Sequence, residues 1–131
     1  MSLNMPSDSK IGIVVNPKKP SATELVSKLR DWLVKRHVQV MDTLGNSVDE
    51  VLAGASLVIC LGGDGTILSL ASHMKETAIP ILGVNLGYLG FLTEVKQDEI
   101  FEELTAYFLG QYKIEDRLML SCKARSDKTR Q

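Results

Sequence analysis

Short unbroken runs of apolar residues recur along the chain and alternate with segments of helical spacing. Unbroken runs are typical of strands that are buried on both faces, as in a parallel sheet covered by helices. This pattern predicts strands over residues 11–15, 38–41, 57–61, 79–84 and 118–124. The polar ending after the last of these, residues 126–131, indicates a truncation or a frayed terminus.

Between the strands, apolar residues return every three or four positions, as they do on one face of a helix. Two residue pairs match the capping-box pattern that begins a helix, Ser21 with Glu24 and Ser47 with Glu50. Further helices are predicted over 66–75 and 98–109, and Gly110 suits the end of the second. Because strands and helices alternate, we predict an α/β fold with an open, mainly parallel three-layer sheet and right-handed crossovers.

Composition narrows the range of functions. The 131 residues are enough for one domain with a modest core, and 44% hydrophobic with 24% charged residues fits a soluble globular protein. A net charge of −1 gives no broad attraction to nucleic acid or to an anionic membrane, and no apolar run has the length of a membrane span. Cys60 and Cys122 form no disulfide framework or zinc motif, and Cys60 is expected to be a small buried hydrophobe. We therefore expect a cytoplasmic protein without nucleic-acid or membrane partners.

The strongest chemical signal is a glycine turn, residues 62–66, with the sequence Gly-Gly-Asp-Gly-Thr. It lies where a buried strand passes into a helix, and ligands of open α/β sheets bind at the carboxyl ends of strands. Glycines there let a ligand approach the backbone closely. The amides of Gly65 and Thr66 would face an anion from the helix start, and Thr66 could also cap the helix.

Asp64 is the residue of this turn that points to catalysis. Its carboxylate would repel a phosphate, but it could orient a hydroxyl that attacks a phosphoryl group, or accept the proton of that hydroxyl. The alternative is a turn or cap residue, since Asp-Gly is a common turn pair. Three glycines around one aspartate at a strand end favour the functional interpretation.

A second glycine segment, residues 85–92, follows the next strand and should lie at the same edge of the sheet. Large apolar side chains between glycines are unusual in a loop. Leu89, Phe91 and Leu92 could form an apolar slot for a planar base, with Phe91 stacked on it. Packing of these side chains onto the sheet, with Phe91 in the core, is an equally open alternative.

Together these motifs resemble those of the NAD kinase family. The resemblance rests on residues 13–17, 62–66, 83–85, 89–93 and 116–120, and it covers roughly residues 11–124. Diacylglycerol kinases, sphingosine kinases and phosphofructokinases carry close versions of the glycine turn. The segment Leu89-Gly90-Phe91-Leu92 is the specific part of the resemblance.

The resemblance implies transfer of the γ-phosphoryl group of ATP, or of polyphosphate in some members, to the 2'-hydroxyl of the adenosine ribose of NAD. The product is NADP, and Mg²⁺ or another divalent cation assists. Asp64 would act on that hydroxyl as the base, with Leu89, Phe91 and Leu92 around the adenine. The other residues that the resemblance places in the nucleotide site are Gly62, Gly63, Gly65, Thr66, Leu68 and Asn85.

The resemblance also implies a division of the chain. Residues 1–9 would be a flexible amino-terminal segment, 10–116 the nucleotide-binding α/β domain, and 117–131 the start of a truncated β-rich domain. Members of the family use further residues in that second domain and assemble as dimers or tetramers partly through it. We therefore expect the full-length protein to be a homo-oligomer and this chain by itself to be inactive. Two alternatives stay open, a non-catalytic nucleotide-binding fragment and a lipid kinase of the diacylglycerol kinase type.

For several weaker features a structural role is favoured over a functional one. Lys18 and Lys19 follow the first strand and could help hold ATP phosphates, although a solvated loop is favoured. His37 and His73 have no partner at metal-ligand spacing and are expected at the surface. The sequence does not decide whether Arg117 pairs with a phosphate or a carboxylate, and it assigns no residue to a metal.

Overall fold

The computed structural model describes residues 9–16, 18–19, 21–74, 78–87, 90–93 and 95–114. Within them the strands are β1 Lys10–Val15, β2 Gln39–Asp42, β3 Leu57–Gly62, β4 Ile81–Asn85 and β5 Val95–Lys96. The helices are α1 Ala22–Val34, α2 Val48–Leu52, α3 Asp64–Ala71 and α4 Ile100–Phe108, with a 3₁₀ turn at Gln97–Glu99. The predicted α/β fold is confirmed, whereas the strand predicted over 118–124 lies outside the described residues.

The strands form one sheet in the order β2-β1-β3-β4-β5, and every neighbouring pair is parallel. The chain passes outward from β1 to β2 and then returns past β1 to β3, so the direction of connection reverses between β1 and β3. In a doubly wound sheet of this order, ligands bind in the crevice at the carboxyl ends of the two strands that flank the reversal.

Apolar side chains are buried on both faces of the sheet. Ile11 and Ile13 of β1 pack with α1 and α4 on one face, while Val14 packs with α2 and α3 on the other. This double cover explains why the strands read as unbroken apolar runs and not as alternating ones. Cys60 is fully buried, as expected, and burial raises the pKa of its thiol to about 12.

The two predicted capping boxes have different outcomes. At α2 the box is formed, because the Glu50 amide donates to Ser47 Oγ at 3.2 Å and the Ser47 amide donates to Glu50 Oε1 at 3.2 Å. Ser21 does occupy the N-cap position of α1, but its side chain makes no capping hydrogen bond. Its backbone is already in the helical region, whereas a residue that caps a helix through its side chain usually has extended backbone angles. The box predicted with Glu24 is therefore wrong.

The starts of two helices also differ from the prediction. Helix α3 begins at Asp64 with Gly63 as its N-cap, so Thr66 lies in the first turn and is not the cap. Its amide donates to the Gly63 carbonyl at 3.1 Å and is not free to face an anion. The 3₁₀ turn replaces the start of the predicted 98–109 helix, and Gly110 ends α4 with a φ of +74°, as expected.

No helix in the described part of the chain is long and apolar enough to cross a membrane.

Candidate active site

The glycine turn lies at the carboxyl end of β3, where the sequence predicts it. A side chain on Gly62 would collide with the side chain of Thr66, so the first turn of α3 can pack on the strand end only over a glycine. A Cβ on Gly63 or on Gly65 would meet no described atom within 4 Å. The fold of the described residues therefore needs Gly62, whereas the space over Gly63 and Gly65 is open to a ligand.

The Asp64 carboxylate contacts the second glycine segment, 27 to 29 residues further along the chain. Its Oδ2 accepts a hydrogen bond from the Phe91 amide at 2.9 Å. Its Oδ1 accepts from the amides of Leu92 at 2.8 Å and Thr93 at 3.2 Å. Residues 91–93 are called the amide strip below. The hydrogen bond from Leu92, followed by that from Phe91, holds the pKa of the Asp64 carboxyl below its usual range, so the group is ionised at neutral pH.

The close approach of the strip to Asp64 depends on Gly90. A Cβ at Gly90 would lie 2.5 Å from both carboxylate oxygens of Asp64, closer than any side chain can sit. Thr93, which ends the strip, is fully buried, and its Oγ1 accepts a hydrogen bond from Asn85 Nδ2 at 2.7 Å. Thr93 is not among the residues that the sequence assigns to the site. Its only signal there is its place at the end of the motif that carries the family resemblance.

The apolar residues predicted around a base have different environments. Phe91 is 87% exposed, so the alternative that places its ring in the core is wrong. Leu92 is half-buried and packs against the core on the α2 and α3 face of the sheet. Leu68 of α3 is also exposed, while Leu89 lies outside the described residues. The residue whose backbone amide binds the Asp64 carboxylate thus carries an exposed aromatic side chain.

A cavity of about 470 Å³ opens at the carboxyl end of β1, beside the helix α3 that follows β3. The described residues that line it include Asn16, Lys18, Thr43, Gly65, Thr66 and His73. Gly65 and Thr66 therefore belong both to this cavity and to the turn that carries Asp64. Lys18 is exposed and brings a positive charge to the rim, and its backbone amide donates to Asn16 Oδ1 at 3.1 Å.

Among the described residues, no group of three or more His, Cys, Asp or Glu side chains could hold a metal ion. His37 and His73 are at the surface, as expected, and Nδ1 of His73 lies 3.2 Å from a carboxylate oxygen of exposed Asp49. The described residues thus contain no cluster of this kind for the divalent cation that the resemblance implies.

Comparison with known proteins identifies the family of the chain. Residues 39–112, more than half of the chain, match the family described as ATP-NAD kinase N-terminal domain. The NAD kinase of Magnetococcus marinus is 37% identical over 91% of this chain and 44% of its own length. That of Moorella thermoacetica is 38% identical over 85% of this chain and 39% of its own length. The chain thus spans less than half the length of these curated relatives.

A solved structure has the same fold. Yeast NADH kinase, complexed with NADH, superposes with a TM-score of 0.64 over 79% of this chain and 37% of that chain. At 20% identity this likeness concerns the fold alone. The matched region, residues 39–112, contains both the glycine turn and the amide strip. From its motifs, its sheet and these relatives, the chain belongs to the NAD kinase family and carries the amino-terminal domain of that family.

Proposed function

We propose that this chain is the amino-terminal part of an enzyme that phosphorylates the 2'-hydroxyl of the adenosine ribose of NAD with ATP, giving NADP. The observation that carries the proposal is an ionised carboxylate, Asp64, which lies next to the open space over Gly65 in the glycine turn and is bound by the amide of Phe91, whose side chain is exposed. A phosphoryl acceptor needs a hydrogen-bond acceptor for its hydroxyl and a surface for its base, and these two groups supply both.

In this proposal Asp64 orients the attacking hydroxyl and receives its proton. A carboxylate with a lowered pKa is a weak base, because general bases work best when their pKa lies near the operating pH. Phosphoryl transfer proceeds through a loose transition state, in which the attacking oxygen becomes acidic only as its bond to phosphorus forms. We therefore assign Asp64 mainly to aligning the 2'-hydroxyl, with proton transfer late in the step.

The adenine of NAD would lie on the exposed face of Phe91. An aromatic side chain that is 87% exposed offers nearly its whole ring for offset stacking. The exposed side chain of Leu68 and the half-buried Leu92 would add apolar contact, and Leu89 is assigned to the same slot by the family resemblance. This arrangement would place the ribose of the adenosine between the ring and the Asp64 carboxylate.

The phosphates of the donor would occupy the cavity between the carboxyl end of β1 and α3. Lys18 and the Thr66 hydroxyl contribute a cation and a hydrogen-bond donor to its lining, and Gly65 leaves room above the helix start. Mg²⁺ would arrive with ATP as part of the substrate, since this ion is commonly carried by substrate phosphates and few carboxylates. Polyphosphate offers the same charges and is the alternative donor.

The remaining parts of the active site would come from a second domain, because the chain spans 44% of the length of its Magnetococcus relative. We propose that residues 10–116 form the nucleotide-binding domain, that residues 117–131 begin the second one, and that the full-length protein is a homo-oligomer. A cytoplasmic location completes the proposal, and the buried free thiol of Cys60 fits a reducing compartment.

The test is an assay of NADP formation from NAD, ATP and Mg²⁺, read with an NADP-specific dehydrogenase, on this chain and on a chain of the relatives' full length. We expect no turnover by this chain and turnover by the longer one. Asp64→Asn in the longer chain should lower kcat by about 10²- to 10⁴-fold, the usual contribution of a positioned acid or base. Near-normal turnover by that variant would contradict the role of Asp64. Absence of NADP from both chains would favour a non-catalytic nucleotide-binding protein.

A further inference from the structure

Two buried polar side chains lie beneath the contacts of Asp64. Asn85, at the end of β4, is 7% exposed, and Thr93 is completely buried. Asn85 Nδ2 donates to Thr93 Oγ1 at 2.7 Å, and Asn85 Oδ1 accepts from the Gly87 amide at 2.6 Å. Buried polar groups are costly unless they are hydrogen-bonded, so this pair strongly prefers one arrangement. A single amide side chain thereby ties Gly87, near the start of the second glycine segment, to Thr93 just beyond its end.

The Thr93 hydroxyl contacts the Asp64 carboxylate as well as Asn85. A threonine hydroxyl has one proton to donate, and here it accepts the proton of Asn85, so its own proton is free for another acceptor. Oδ1 of Asp64 lies 3.5 Å from Thr93 Oγ1, a long contact. The shorter bonds to Asp64 come from the backbone amides of the strip. Thr93 therefore acts on Asp64 chiefly by fixing where the strip lies, and secondarily through its hydroxyl.

We propose that Asn85 and Thr93 are positioning residues of the phosphoryl-transfer site, which hold the amide strip against Asp64 and so set the direction in which its carboxylate meets the attacking hydroxyl. This inference rests on the proposed function. It gives Asn85 a role inside the protein in place of the nucleotide contact predicted from the family resemblance, because both ends of its side-chain amide already have protein partners. Neither residue needs to touch a substrate.

The first test needs no substrate and uses this chain. Thr93→Val removes the hydroxyl at nearly constant shape, and Thr93→Ser is the matched control that keeps it. We expect Thr93→Val to accelerate hydrogen exchange of the Phe91 and Leu92 amides about ten-fold, the effect of losing roughly one hydrogen bond. The titration midpoint of Asp64, followed by NMR, should rise towards its usual range. In Thr93→Ser, both the amide exchange rates and the Asp64 midpoint should equal those of the wild type. Unchanged exchange and midpoint in Thr93→Val would overturn the inference.

The second test links the pair to turnover in the full-length enzyme. We expect Thr93→Val to lower kcat about ten-fold with little change in KM for NAD, because alignment is lost and ground-state contacts are kept. In an Asp64→Asn background the same substitution should have no further effect on kcat. A full ten-fold loss in that background would overturn the inference, since Thr93 would then act independently of Asp64.

Asn85→Ala tests the pair from the other end if Thr93→Val does not fold. It removes both the donor to Thr93 Oγ1 and the acceptor for the Gly87 amide without adding a charge. We expect the Asp64 midpoint to rise, and a wild-type midpoint would count against the inference. If the full-length enzyme forms no NADP, the proposed function fails, while the exchange and titration results still decide whether Asn85 and Thr93 position Asp64.

Discussion

At the scale of single residues, Asp64 has to satisfy two partners. On the protein side it accepts hydrogen bonds from three backbone amides. On the solvent side it presents the remaining lone pairs of an ionised carboxylate. Charge-assisted bonds of this kind are shorter and stronger than neutral ones, so they fix the side chain before any substrate arrives. The same bonds weaken Asp64 as a base. Pre-orientation is therefore gained together with a loss of basicity, and this balance favours alignment of a hydroxyl over early proton removal.

The lowered pKa of Asp64 predicts how the amide strip responds to acid. A carboxyl whose pKa is lower in the folded than in the unfolded state stabilises the fold above its unfolded pKa of about 3.9. That contribution is lost as the pH falls through the folded pKa. We expect the amide shifts of Phe91 and Leu92 to change with pH in a single transition whose midpoint lies below the usual aspartate value of about 3.9. NMR titration measures this, with Asp64→Asn as control. A midpoint at or above that usual value would contradict the hydrogen-bonded state of the carboxylate.

Gly62 and Gly65 offer a matched pair of substitutions in the glycine turn. The Cβ of Gly62→Ala would collide with the Thr66 side chain, whereas that of Gly65→Ala would meet no described atom within 4 Å. We expect Gly62→Ala to destabilise the fold by about 1–3 kcal/mol, as overpacking does. Gly65→Ala lies inside α3 and should leave stability equal or slightly raised. Denaturant unfolding measures both.

Gly62→Ala and Gly65→Ala also distinguish an effect on folding from an effect on ligand binding. If the space over Gly65 receives a substrate, Gly65→Ala should weaken nucleotide binding by calorimetry although the fold is intact. Equal nucleotide affinity for wild type and Gly65→Ala would show that no ligand occupies that space.

At the scale of elements, the N-cap serines of α2 and α1 offer a second matched pair of substitutions. Ser47 caps α2 through its hydroxyl, and the bonds from Ser47, backbone first, hold the pKa of Glu50 below its usual range. Ser21 makes no such bond at α1. We expect Ser47→Ala to cost about 1 kcal/mol of unfolding free energy, the typical value for a lost N-cap, and Ser21→Ala to cost much less. Thermal unfolding of both variants measures the difference, and equal losses would contradict the capping geometry.

Most elements could be predicted because burial on both faces leaves a strong mark on the sequence. Strand β3 is an example, since every residue from Leu57 to Gly62 is buried and the apolar run is unbroken. Strand β5 has only two residues, Val95–Lys96, and exists through its pairing with Val84 and Asn85. A two-residue strand has no periodicity, so only the tertiary structure specifies it. The start of α3 escaped prediction for a related reason, because Gly63 forms the N-cap through its backbone alone.

The site was predictable to the extent that its residues lie at strand ends. The turn after β3 and the segment after β4 could be placed at one edge of the sheet, because parallel strands share that edge. The contact between Asp64 and the amide strip could not be predicted. It joins residues that are far apart in sequence through backbone amides, which every residue carries and no motif marks. Thr93 was missed for the same reason, since a buried threonine has no distinctive sequence pattern.

At the scale of the whole molecule, the sheet order brings the end of β1 next to the glycine turn after β3. This adjacency turns Lys18, which the sequence alone favoured as a solvated residue, into part of the cavity lining, whereas Lys19 is exposed and does not line it among the described residues. We expect Lys18→Gln to weaken the binding of ATP or inorganic triphosphate about two- to five-fold, the effect of one exposed charge contact.

Lys19→Gln is the control for this experiment, because it removes the same charge from the same loop outside the cavity. Calorimetry at low and high salt should show the loss for Lys18→Gln chiefly at low salt, since exposed charge pairs are screened by ions. Equal losses for the two variants would mean that the loop acts only through its net charge. In that case the donor phosphates would have to bind outside the cavity that Lys18 lines. If Asp64 still acts on the acceptor hydroxyl, ATP would then have to reach the glycine turn from the side opposite this cavity.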